Sequence, residues 1–195
     1  GVAPGGTPSA EGRSRDRGDT TVPITGIAEL NYCVEDLEKC IRFFEDFGLS
    51  RRESSGEHAI FEVVSGQRVN LFRQGDRRIP KSAQVGYGVH ECVWAVDNQA
   101  DLDGLVKDIS RDHDVTTDES GAVHFVTAFG QAIGIRVFQR RPLLSTLTPT
   151  NSPGIINRLN VPRRWPTRAT PKTINHLVWG FLDVNETFAF YRDRL

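Results

Sequence analysis

Three segments of equal spacing each begin with a side chain that can bind a metal ion or a polar ligand. Their first residues are Glu29, Glu91 and His176. Carboxylate oxygens and neutral imidazole nitrogens are both common ligands of divalent metals in proteins. This repeated position is therefore the first candidate for a binding or catalytic site. Whether the three side chains lie close together depends on the strands and helices that contain them.

The same three segments carry the pattern of a strand that leads into a capped helix. In each, an aromatic residue follows the first residue by three positions and an apolar residue follows it by five. An Asx residue comes at seven, and its side chain can accept hydrogen bonds from the free N–H groups of a first helical turn. These residues are Asp36, Asn98 and Asp183. Apolar residues at helical spacing then predict one buried face per helix. The predicted faces are Leu37, Ile41 and Phe44, then Leu102, Leu105 and Ile109, then Val184, Phe188 and Tyr191.

Short runs with β-type composition follow the first two helices. Gly48 is placed to end the first helix, and residues 58–64 and 68–73 come after it. The second copy repeats the arrangement with residues 123–129 and 132–139. The sequence therefore predicts an α+β fold of two complete βαβββ modules and the start of a third. We expect a disordered tail at 1–23, paired modules over 24–140 (24–78 and 86–140), a Pro- and Arg-rich linker at 141–172, and an incomplete module at 173–195.

Composition argues against several classes of partner. The 195 residues are 38% hydrophobic and 25% charged with a net charge of −1, so neither nucleic acid nor a membrane is an expected partner. No run approaches the roughly 20 apolar residues that span a bilayer, and no signal peptide is evident, so a cytoplasmic location is expected. The three cysteines, Cys33, Cys40 and Cys92, are expected to be reduced core thiols. The lack of Met and an ending inside a helical pattern suggest a trimmed or partial polypeptide.

Two motif pairs resemble a known superfamily. Val34-Glu-Asp-Leu37 with Phe43-Phe-Glu-Asp-Phe-Gly-Leu49, and Phe181-Leu-Asp-Val184 with Phe190-Tyr-Arg-Asp-Arg-Leu195, are similar to the strand and helix ends of the vicinal oxygen chelate superfamily. This group includes glyoxalase I, bleomycin-resistance proteins, extradiol dioxygenases and 4-hydroxyphenylpyruvate dioxygenase. The resemblance covers residues 24–140 and 173–195.

The resemblance implies that two modules pair around a pseudo-twofold axis and curl a mixed sheet into a cup. It places ligand-binding side chains at Glu29, Asn70, Glu91 and Arg136. Arginine is always charged and cannot ligate a cation, so the first cup is expected to be metal-free. Two interpretations stay open: Arg136 neutralises Glu29 or Glu91, or Arg136 and Asn70 hold an anionic or hydroxylated ligand.

His176 corresponds, by the same resemblance, to the first iron ligand of extradiol enzymes, whose N-terminal module pair lacks the metal. Two histidines and a carboxylate there hold Fe(II) and leave positions open for a catecholate and dioxygen. The other two ligands would come from a fourth module, so these 195 residues alone are expected to be inactive.

Two functional hypotheses follow. The first is an extradiol-type ring-cleavage dioxygenase of aromatic catabolism that acts on a small catechol-like substrate. Its full-length form is expected to use Fe(II) or another divalent metal. The second is a metal-free module that binds a small aromatic or anionic compound, as bleomycin-resistance proteins do. A homo-oligomer is compatible with either. The remaining histidines, His58, His90, His113 and His124, are expected to be structural or exposed.

Overall fold

A computed structural model of the protein describes residues 23–144, 151, 153–156 and 169–195. Nearly all of the predicted tail lies outside these residues, and the predicted linker is described only in part. Eight strands and three helices occur within the described residues. No helix in these ranges is both long and apolar enough to cross a membrane.

Each module has the predicted order of strand, helix and three strands. The first contains β1 (Ile24–Val34), α1 (Leu37–Phe47), β2 (Ser50–Ser54), β3 (His58–Glu62) and β4 (Arg68–Arg73). The second contains β5 (Gly88–Val96), α2 (Gln99–Ile109), β6 (Thr116–Thr117), β7 (Val123–Val126) and β8 (Ala132–Val137). A third helix, α3 (Val184–Arg194), follows them.

The two modules form one eight-stranded mixed sheet. Its order is β2-β3-β4-β1-β5-β8-β7-β6, which reads as two equivalent halves on either side of the β1–β5 pair. β1 and β5 are antiparallel to each other, and each is parallel to the last strand of its own module. The predicted α+β fold of paired βαβββ modules is therefore confirmed.

Both module helices cover the same face of the sheet. Asp36 accepts a hydrogen bond from the Lys39 amide at 2.9 Å and so caps α1, while Gly48 ends it in the left-handed region at φ 99°. Asn98 caps α2 through the Asp101 amide at 3.0 Å. The predicted apolar faces of α1 and α2 are confirmed, because they pack into two buried clusters against the strands of their own modules.

The third segment does not form the predicted strand at 176–183. It lies against the helix-covered side of the sheet, where Leu177 and Trp179 pack on a cluster around Leu30. β1 already has a neighbouring strand on each edge, so its backbone N–H and C=O groups are not free to pair with this segment. The buried Gln67 side chain bonds the segment instead, because it accepts from the Ile174 amide at 2.9 Å and donates to the Ile174 carbonyl at 2.7 Å.

The buried face predicted for α3 is wrong in two of its three residues. Val184 and Phe188 are 70% and 62% exposed, whereas Phe190 and Tyr191 pack into the core of the second module. The reason is that α3 packs across α2, where Arg194 pairs with Asp108 and Asp112, rather than on a sheet of its own. The start of the helix is as predicted, with Asp183 capping the amides of Asn185 and Glu186.

Candidate functional site

The sheet face opposite α1 and α2 contains a cleft of about 1410 Å³. The central strands supply its floor, and the loops that follow β4 and α2 supply opposite walls. Its apolar lining includes Ile60, Phe72, Pro80, Val93 and Val126. Small-molecule sites are usually lined mostly by apolar side chains with a few polar groups, whereas polar and charged side chains predominate in this cleft.

Asn31 connects the two modules at the centre of the floor. Its Cα is paired with Asn70 on β4 and with Glu91 on β5. The Asn31 amide donates from Nδ2 to Glu91 Oε2 at 2.6 Å, and its Oδ1 accepts from Asn70 Nδ2 at 2.8 Å. A single side chain therefore bridges a polar group of each module.

Glu29 lies beside this bridge and is 9% exposed. Its Oε2 accepts from Asn70 Nδ2 at 2.6 Å, and its Oε1 accepts from Arg136 Nη1. A carboxylate buried to this extent is costly unless it is paired and hydrogen-bonded. Arg136 on β8 supplies that countercharge from the second module.

His124 pairs with the second buried carboxylate, Glu91, which is fully buried. His124 Nδ1 lies 2.7 Å from Glu91 Oε1, and Nε2 lies 3.3 Å from Asp118 Oδ2. Burial alone would lower the pKa of His124, but the hydrogen bond and charge of Glu91, with a smaller contribution from Asp118, raise it above its usual 6.5. Glu91 therefore stabilises the protonated form of this imidazole.

The structure places the four residues that the resemblance selected in one hydrogen-bonded network. Glu29, Asn70 and Arg136 line the cleft, while Glu91 lies beneath it and joins them through Asn31. Their part in ligand binding stays a prediction.

Asn31 was not predicted to be a site residue, and His124 was predicted only to be structural or exposed. Asn31 follows Glu29 by two positions on one strand, so strand period two could have placed both on the same face. His124 alternates with the buried Val123 and Phe125, which indicates that it faces away from the helix-covered core. Neither signal identifies the cross-strand partner, since register is set by the assembled sheet.

His176 is exposed and lies on the extended segment before α3. Across the ranges that the structure describes, no group of three His, Cys, Asp or Glu side chains is placed to hold a metal ion. The role of His176 as a metal ligand stays a prediction.

The first cup does not fit a divalent metal. Of the residues that the resemblance selected, Glu29 is already paired with the guanidinium of Arg136, and Glu91 is paired with Asn31 and His124. A metal ion beside Glu29 would face a fixed positive charge that cannot be removed by deprotonation.

Solved structures of three other proteins are similar to this one in fold. LapB, a 2,3-dioxygenase from Pseudomonas sp. KL28, matches with a TM-score of 0.62 and 15% identity over 89% of this chain and 59% of its own. BphC, a halotolerant catechol dioxygenase, matches with a TM-score of 0.59 and 14% identity over 88% and 54%. The Mn(II)-bound glyoxalase from Novosphingobium aromaticivorans matches with a TM-score of 0.60 and 16% identity over 89% and 53%.

No family model matches the sequence, and no curated protein does. The chain spans between 53% and 59% of the length of these three structures. At identities of 14% to 16% the similarity is one of architecture, and it agrees with the paired βαβββ modules described above. The chain therefore has the fold of the vicinal oxygen chelate superfamily.

Proposed function

We propose that this chain is the N-terminal part of an extradiol-type ring-cleavage dioxygenase. The observation that carries the proposal is the position of His176 at the head of the third repeated segment, after a module pair whose inward carboxylates are already paired. The likeness to two dioxygenases, which covers 88% and 89% of this chain, supports it, and a glyoxalase matches over 89% as well. The paired modules alone make up a smaller share of the chain, so the likeness also includes residues that flank them. A protein that resembled only an isolated module pair would not be expected to match so far.

The proposed substrate is a small catechol-like aromatic, and the proposed cofactor is Fe(II) bound by His176 with donors from outside the described residues. Exposure of His176 supports this assignment, since its imidazole is accessible to further ligands. The first module pair is not the catalytic centre in this proposal, because its inward carboxylates are already paired with Arg136 and His124. We place the protein in the cytoplasm.

The alternative is a metal-free protein that binds a small aromatic or anionic compound. The polar cleft between the modules favours it, because the cleft is open, large and floored by groups that form hydrogen bonds. The two functions make opposite predictions for metal content.

The test uses the protein made from its complete reading frame. After anaerobic loading with Fe(II), bound iron and catechol cleavage are measured, the latter by the absorbance of the ring-opened product. We expect His176→Ala to abolish both, whereas His90→Ala, which alters a partly buried histidine whose Nε2 lies 3.0 Å from the Gly86 carbonyl oxygen, should retain them. Iron-free protein without ring cleavage, but with saturable aromatic binding, would establish the alternative instead.

A further inference from the structure

We propose that two equivalent turns, one in each module, dock the C-terminal segment (residues 171–195) on the module pair as one cooperative unit. The first turn spans residues 63–67 between β3 and β4, and the second spans residues 127–131 between β7 and β8. Their contacts with the segment lie on either side of His176 in the sequence, so the two turns together fix the backbone that carries this side chain. The inference uses only contacts among the described residues and is independent of the proposed iron centre.

Both turns have the same construction. Each ends in a Gly-Gln pair directly before the last strand of its module, with Gly66 at φ 91° and Gly130 at φ 82°. In each turn the amide of the first residue donates to the carbonyl of the glutamine, at 3.0 Å in the first turn and 2.9 Å in the second. The two glutamines, Gln67 and Gln131, therefore occupy matching positions in the two halves of the sheet, and they are 0% and 5% exposed.

The first turn holds the C-terminal segment at its beginning. A glutamine carboxamide can both donate and accept, as a peptide group does. Gln67 uses both functions on Ile174, since its Oε1 accepts from the amide at 2.9 Å and its Nε2 donates to the carbonyl at 2.7 Å. Its Oε1 also accepts from Thr173 Oγ1 at 2.7 Å, and the Ser65 amide donates to the Lys172 carbonyl at 2.9 Å. Three consecutive residues of the segment are thus bonded to this turn.

The second turn holds the same segment at its other end. The Tyr191 hydroxyl donates to Gln131 Oε1 at 3.0 Å. Burial raises the pKa of Tyr191, which keeps this hydroxyl protonated as a donor. Phe129, in the same turn, contacts the rings of Phe181 and Phe190 edge to face, with centroids 5.5 Å and 5.7 Å away. The second turn therefore binds α3 and the residues just before it.

The two attachments should open together. Between Ile174 and Phe181 the segment forms neither helix nor strand, and Leu177 and Trp179 pack on the cluster around Leu30. An 11-residue helix such as α3 is marginal on its own, so its amides are protected from exchange only while the segment is docked. Amide hydrogen exchange in α3 therefore reports the docking equilibrium.

The test measures amide hydrogen exchange in the iron-free 195-residue chain. In the unaltered chain, the Ile174 amide and the α3 amides should be protected to a similar degree and less than those of β1 and β5, because the segment opens without unfolding of the sheet. Thr173→Val removes one hydrogen bond at the first turn, Tyr191→Phe removes one at the second, and both nearly preserve side-chain size. We expect each variant to speed exchange about fivefold both at Ile174 and in α3.

A matched control is Tyr87→Phe, which alters a half-exposed tyrosine of the loop between β4 and β5 and should leave exchange at these amides unchanged. Exchange that Thr173→Val speeds only near Ile174, or that Tyr191→Phe speeds only in α3, would show that the two turns act independently and would overturn the proposal. Equal protection of α3 and the central strands would overturn it as well, because the segment would then open only with the whole sheet.

Discussion

Arg136 stands where the last strand of the second module faces the cleft, and it pairs with Glu29 on the first strand of the first module. Arg136 thereby joins the two halves of the sheet. Its permanent positive charge compensates the carboxylate of Glu29, which is 9% exposed. The second carboxylate, Glu91, has a titratable partner in His124. The two ion pairs should therefore respond differently to substitution and to pH.

Arg136→Gln should lower the free energy of unfolding by about 2–3 kcal/mol, because it leaves Glu29 buried without its countercharge. The loss is set below the 3–5 kcal/mol of fully buried pairs because the Arg136 side chain is 21% exposed. Urea denaturation measures the change. Glu29→Gln combined with Arg136→Gln should recover most of it, and Arg42→Gln should change it by less than about 0.5 kcal/mol. A double variant no more stable than Arg136→Gln would mean that the pair does not compensate Glu29.

The stabilisation by His124 should fall as the pH rises. Its pKa is raised in the folded protein, so the contribution is fully present below the unfolded pKa of about 6.5 and is lost as pH passes through the higher folded pKa. The difference in unfolding free energy between the unaltered protein and His124→Gln should therefore be larger at pH 6 than at pH 9. Urea unfolding at the two values tests this, with His90→Gln as the control. Equal differences at both pH values would contradict the Glu91–His124 pairing.

The members of this site were only partly predictable from the sequence. Glu29, Asn70, Glu91 and Arg136 could be selected because the strand repeat and the resemblance fix where inward positions fall. Asn31 becomes central only because the sheet pairs it with both Asn70 and Glu91, and that register depends on long-range contacts. The sequence left the partner of Arg136 open between Glu29 and Glu91, and the structure selects Glu29.

At the scale of the elements, the sequence predicted where the helices begin better than it predicted which residues pack against other elements. Asp36, Asn98 and Asp183 cap their helices as expected, because capping depends on residues within one turn. The predicted strand at 176–183 failed, since strand formation needs an unoccupied sheet edge that the sequence does not reveal. The buried face of α3 was misassigned for a similar reason: apolar residues occur around much of that helix, and packing against α2 selects among them.

The corrected face of α3 can be tested with two phenylalanines two positions apart. Phe190 contacts the rings of Phe125, Phe129 and His113, whereas Phe188 is 62% exposed. Phe190→Ala should lower the free energy of unfolding by about 2–3 kcal/mol, less than for a fully buried ring, because Phe190 is only partly buried. Phe188→Ala should change it by less than about 0.5 kcal/mol. Chemical denaturation of the two variants measures both values. If Phe188→Ala lost more unfolding free energy than Phe190→Ala, the buried face predicted from the sequence would be the correct one.

At the scale of the whole molecule, the two modules are equivalent in topology but differ in the side chains that they bring to the cleft. The first contributes Glu29, Asn31 and Asn70, and the second contributes Glu91, His124 and Arg136. Each buried carboxylate thus depends on a cationic partner that the second module supplies. We infer from this arrangement that the first cup does not hold a divalent metal, because the guanidinium of Arg136 already pairs with Glu29.

The most direct test is the iron content of the 195-residue chain after anaerobic loading with Fe(II) and removal of free metal. We expect substoichiometric iron, because Arg136 holds Glu29 and His176 with only water as its other ligands is a weak site. His176→Ala should leave the folded modules intact, as judged by the same cooperative urea unfolding. Stoichiometric iron that persists in His176→Ala would instead mean that the metal occupies the first cup despite Arg136.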